Sequence, residues 1–103
     1  MGNPMKIRAR SDGENTEVKV LVSHPMETGQ RRNERGEPIA AHFIQRITVT
    51  HGGRVVLAAQ WGTAVSANPF VSFRFRGGVR GETVEVAWQD NRGDSRTDAA
   101  LIS

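Results

Sequence analysis

Apolar and polar residues alternate along most of this chain with the two-residue period of a strand that buries one face. MKIRAR, residues 5–10, alternates apolar with basic positions and predicts a first short strand. SDGEN then supplies turn chemistry, and TEVKVLV, residues 16–22, sets Val18, Val20 and Val22 inward against Glu17 and Lys19. Two β-rich runs, Phe43 to Thr50 and Arg54 to Trp61, meet at Gly52-Gly53, a pair that permits the positive φ of a tight primed turn. FVSFRFR, residues 70–76, follows Pro69, with Phe70 or Val71, Phe73 and Phe75 as apolar positions and Arg74 and Arg76 facing out. ETVEVAWQD, residues 82–90, points Val84, Val86 and Trp88 inward; DNRGD turns the chain, and SRTDAALIS closes a second hairpin.

About seven strands result, with no segment of helical period. The fold class this predicts is all-β, an immunoglobulin-like antiparallel β-sandwich without the cysteine pair of antibody domains. The 103 residues make a single domain, 1–103, large enough to bury roughly 65% of the surface its unfolded chain exposes. Residues 23–41 interrupt the pattern. This irregular segment carries Pro25, Gly29, Gly36 and Pro38 and a run of charges, and a connection of such length in a small domain is more often functional than decorative.

The formal charge of +3 comes from 14 basic residues interleaved with 11 acidic ones, which argues against a diffuse positive field for nucleic acid. Twelve of the 14 are Arg, and guanidinium groups favour planar, bidentate contacts with carboxylates or oxyanions. With no cysteine, disulfides, thiolate nucleophiles and Cys-type zinc sites are excluded. The N-terminal segment lacks the apolar run of a secretory signal, and no stretch approaches the ~20 apolar residues of a membrane span. On its own this reads as a soluble cytoplasmic chain.

The remaining candidates for chemistry are few. His24, His42 and His51 have neither His-x-His nor His-x-x-x-His spacing, so a metal site would need convergence from distant segments, and none is expected. Ser23 beside His24 is not a catalytic dyad, because neighbouring side chains at a strand end point to opposite faces; no catalytic residue and no cofactor are expected. Arg74, Arg76 and Arg80 lie near Phe70, Phe73 and Phe75, but alternation puts Phe73 and Phe75 on one face and Arg74 and Arg76 on the other. A histidine metal-binding β-domain and a basic nucleic-acid-binding β-domain stand as the alternatives to a protein-docking domain.

KIRA, VKVLVSHPMETG, PIAAHFIQRITVTHGG, AVSANPF and WQDNRGDSRTDAALIS together resemble the SoxZ family, over Met5 to Ser103, with SHPMETG and the NPF segment as the most specific parts. The resemblance implies a non-catalytic subunit of the periplasmic SoxYZ carrier of thiosulfate oxidation. The partner it implies is SoxY, in a heterodimer or higher assembly, whose C-terminal cysteine arm carries sulfur covalently between enzymes. It also implies transient contact with other Sox enzymes, no nucleic acid or membrane partner, and export to the periplasm together with SoxY. The partner-contacting residues expected are Ser23, His24, Pro25, Met26, Glu27, Thr28 and Gly29, with Asn68, Pro69 and Phe70; Met26 and Phe70 are the candidate apolar anchors.

Overall fold

Residues 2–103 are described by a computed structural model. Seven strands follow in order: β1 (Lys6–Ser11), β2 (Asn15–Leu21), β3 (Ile44–His51), β4 (Arg54–Gln60), β5 (Phe70–Arg76), β6 (Thr83–Asp90) and β7 (Ser95–Leu101). Every predicted run is a strand, with ends shifted by one or two residues, and there is no helix among the described residues. One antiparallel sheet has the order β1-β2-β5, the other β4-β3-β6-β7. This is the immunoglobulin-like Greek-key sandwich, with the fourth strand paired to the third rather than placed on the sheet of the first two.

The alternation sets the core. Val18 and Val20 of β2, Ile47 and Val49 of β3, and Val84, Val86 and Trp88 of β6 are buried between the sheets, joined by Phe75 and Ile102. Removing each such aliphatic side chain from water is worth about 1.5–3 kcal/mol, so the two inner faces hold the sheets together. At Gly52-Gly53 both φ angles are positive, 56° and 77°, as the predicted turn requires, and the β3–β4 register shifts at Val49/Thr50, just before the turn. The two sheets also touch along one seam, where Ala9 of β1 bridges Ile102 just after β7 in parallel.

Gly78 shows how tightly the β5–β6 connection packs. Its φ is +87°, and a Cβ there would land on Oγ1 of buried Thr16, whose hydroxyl donates to the Gly77 carbonyl at 2.7 Å. Gly78→Ala combines a left-handed backbone with a core overlap and is expected to lower stability by about 2 kcal/mol or more in urea unfolding. A loss below about 0.5 kcal/mol would mean that this connection is free to move.

Residues 22–43 cross from one sheet to the other. Much of this crossover is a narrow irregular ribbon: Glu27 and His42 exchange backbone hydrogen bonds of 2.6 and 3.0 Å, the Ile39 amide donates to the Arg31 carbonyl, and Asn33 closes the tip. The Asn33 side-chain oxygen accepts from the Arg35 and Glu37 amides, and Asn tolerates such tight turns for that reason. The charged stretch is thus an antiparallel arm with its own hydrogen bonds. The molecule measures 54 × 20 × 20 Å, against the roughly 25 Å spanned by strands of this length, so the loops at its ends supply about half of its long dimension.

Candidate functional site

The SHPMETG segment enters the crossover directly from β2. Val22 still donates its amide to the Pro69 carbonyl at 2.8 Å, and the His24 carbonyl accepts from the Asn68 amide at 2.9 Å. The Asn68 side-chain oxygen accepts in turn from the His24 amide at 3.1 Å. Asn68 sits at φ 51°, a left-handed conformation that Asn adopts more readily than most residues. The two segments singled out separately in the sequence, 23–29 and 67–70, are therefore stitched into one surface.

Within that surface the side chains divide. Pro25, Thr28, Gly29, Asn68 and Phe70 are exposed, while Ser23 and Glu27 are half-buried. His24, Met26 and Pro69 are buried. Met26 is not the exposed apolar anchor expected of it: its backbone takes φ 48°, which turns the side chain into the core, 4% exposed, where its Sδ lies 3.4 Å from the Ile44 amide. Phe70 is 63% exposed and does stand outward, directly across the β2–β5 ladder from Leu21, 41% exposed. Asn3, Lys6, Ser23 and Asn68 surround Leu21 to form a concavity of about 350 Å³.

The same outer face of the β1-β2-β5 sheet collects charge. Lys6, Arg8 and Arg10 of β1, Lys19 of β2, and Arg74 and Arg76 of β5 share it by strand parity, with Glu17 as its carboxylate, 3.6 Å from both Lys19 and Arg74. Phe73 and Phe75 take the inner side, so the rings and Arg74 and Arg76 are separated as alternation requires. Phe70 falls on the arginine side.

Behind this surface lies a cluster that no sequence spacing announced. His24 Nε2 lies 3.1 Å and His42 Nε2 2.7 Å from Oδ2 of Asp90, at the end of β6. Oδ1 of the same carboxylate accepts from the Arg92 and Asp94 amides, both at 2.9 Å, and so shapes the β6–β7 turn. The His24 ring also stands edge-on to Trp88, with centroids 5.1 Å apart. One aspartate therefore ties the crossover, from both of its ends, to the opposite sheet.

A protein-family model, the sulphur oxidation protein SoxZ, matches residues 5–100, nearly the whole chain. The chain belongs to the SoxZ family. No curated protein matches it. Membership makes this a sulfur-oxidation subunit, and the seven-stranded sandwich above is the frame on which this SoxZ-family chain carries its surfaces.

The histidine cluster bears on the metal reading. His24, His42 and Asp90 each bring one ligand-type atom within 4.8 Å of the others, a convergence that the spacing of the histidines does not predict. The Met26 amide, however, donates to His24 Nδ1 at 3.1 Å, so the ring proton resides on Nε2 and is donated to Asp90. The Nε2 lone pair is then not offered to a cation, and neither ring nitrogen is left for Ser23. Stoichiometric zinc should leave the unfolding temperature of this SoxZ-family chain unchanged; a rise of several degrees would show that the His24 ring had changed its hydrogen bonding.

Burial by itself would raise the Asp90 carboxyl. Hydrogen bonds from His24, the Asp94 amide, His42 and the Arg92 amide outweigh it and hold the group at about 2, below the ordinary 3.8. Because the folded value lies below the unfolded one, the stabilisation is fully present above pH ~4 and is lost as pH falls toward ~2. The expected loss attributable to Asp90 across that window is about 2 kcal/mol, read as the difference in acid unfolding between the wild type and Asp90→Asn. Parallel acid profiles for the two proteins would refute it.

Proposed function

We propose that this chain is the non-catalytic subunit of the periplasmic SoxYZ carrier, which binds and stabilises SoxY while the cysteine arm of SoxY carries sulfur intermediates between enzymes. The observation that carries the reading is the exposed Leu21–Phe70 pair beside the Asn68–His24 stitched loops, on a chain of the SoxZ family. Two large apolar side chains facing each other on an exposed sheet face, with Lys6, Ser23 and Asn68 around Leu21, have the anatomy of an interface centre and polar rim. The lack of cysteine supports a scaffold role, since a subunit without its own thiol cannot intercept a carrier thiol by disulfide exchange.

Coexpression with SoxY tests it. The two chains should copurify and elute as one species in size-exclusion chromatography, whereas separate elution at micromolar concentration would reject the reading. Localisation follows from the same proposal: the chain reaches the periplasm when SoxY is present and stays behind when SoxY is deleted. Periplasmic recovery without SoxY would remove co-export. Transient contacts with the other enzymes of the system fall to the faces that SoxY leaves free.

A further inference from the structure

At the opposite end of the outer sheet face from Phe70, the chain forms a cleft of about 820 Å³ lined by Arg8 and Arg10 of β1, Arg80 of the β5–β6 connection, and by Ser11, Gly78 and Ser103. The three guanidiniums are exposed, and among the described residues none has a carboxylate within ion-pair distance. No acidic side chain lines the cleft. Carboxylates in the neighbourhood are engaged elsewhere: Asp12 accepts from the Glu14 and Asn15 amides, Glu17 lies between Lys19 and Arg74, and Glu82 accepts from His51 and the Val79 amide.

The floor is fixed. Ser11 N–H donates to the Ser103 carbonyl and Ser103 N–H to the Ala9 carbonyl, each at 2.9 Å, while Gly81 N–H donates to the Ile102 carbonyl at 2.8 Å. The Ser11 hydroxyl donates to the Gly78 carbonyl and the Ser103 hydroxyl to the Ala9 carbonyl, at 3.2 and 3.1 Å. These bonds hold β1, the β5–β6 connection and the last residues together, so the backbones that carry the three arginines keep their spacing. Guanidinium groups remain charged at all working pH values and present paired donors that match the edges of a tetrahedral oxyanion. Three of them around one rigid concavity, with no acidic side chain in its lining, form an anion site.

We propose that this cleft binds a sulfur oxyanion through a terminal SO3 group, the chemistry shared by a free inorganic ion and by a sulfonated group held on a carrier thiol. The choice of sulfur rests on the function proposed above; the anion site rests on the arginines. Binding is electrostatic in a solvent-accessible cleft and weakens as ionic strength rises.

The test is an NMR titration of the isotope-labelled full chain with sodium thiosulfate, against sodium chloride at matched ionic strength. Saturable shifts at the Ser11, Gly78 and Arg80 amides with thiosulfate alone are expected. The Arg10→Gln/Arg80→Gln variant should bind at least about tenfold more weakly while keeping a dispersed, folded spectrum. Equal shifts with chloride, or unchanged affinity in the variant, would overturn the proposal. A second arm uses the copurified complex with an S-sulfonate on the proposed carrier partner's thiol. Shifts at the same amides without added ion assign the carrier-held group, and shifts only on adding thiosulfate assign the free ion. Failure to form the complex counts against the proposed function and leaves the titration of the isolated chain to decide the site by itself.

Discussion

Replacing Asp90 with Ala should bring the domain close to unfolding, with a loss of about 4 kcal/mol in urea titration, out of the roughly 5–15 kcal/mol available to a domain. Four donors lose their acceptor at once: the Nε2–H groups of His24 and His42 and the Arg92 and Asp94 amides. The Asp90 side chain is fully buried and that of His24 nearly so, so water cannot replace the lost acceptor at His24 without opening the sandwich end. Asp90→Asn separates charge from shape. An amide has one oxygen where the carboxylate has two, so its NH2 group must face either the two histidines or the two turn amides. A loss of about 2–3 kcal/mol is expected, with the acid dependence attributed to Asp90 removed. An Asn variant within about 0.5 kcal/mol of wild type would show that the cluster is not a structural tie.

The second large effect concerns the outer face. Phe70→Glu should weaken association with SoxY, the proposed partner, by about 2 kcal/mol or more, roughly 30-fold, because it places a charge at the apolar centre of the proposed interface. Its unfolding midpoint should stay close to wild type, since the ring is 63% exposed and contributes little to the core. Leu21→Glu, directly opposite in the ladder, should act in the same direction. Met26→Ala gives the contrast: its side chain is buried, so it should lower stability and affect assembly only through folding. If Phe70→Glu and Leu21→Glu both bind as wild type, the interface lies on another face.

The strands were legible because strand periodicity is local. Val18, Val20 and Val22, or Val84, Val86 and Trp88, declare their buried face by sequence alone, since a one-residue slip would expose every one of them. Gly52-Gly53 was legible for a similar reason, as few other residue pairs accept two positive φ angles in succession. Phe70 was read less well: adjacent to Val71 at the strand start, it could have faced either way until the pairing with Leu21 placed it outside. Met26 could not be read at all, because one left-handed residue after Pro25 inverted the direction expected of an extended loop.

What the sequence by itself determined is an all-β chain of seven strands, its inner residues and its main turns, which follow from local spacings, together with motifs that resemble one family. Only the tertiary structure decided the rest. His24 and His42 meet Asp90 across separations of 66 and 48 residues, set by the crossover and by the Greek-key order rather than by any local pattern. Basic residues from three separate runs of the chain become one sheet face because Lys6, Arg8, Arg10, Lys19, Arg74 and Arg76 share a side only once β1, β2 and β5 are in register. Periodicity fixes which way each side chain points, and it takes the pairing of distant strands to fix what each one meets.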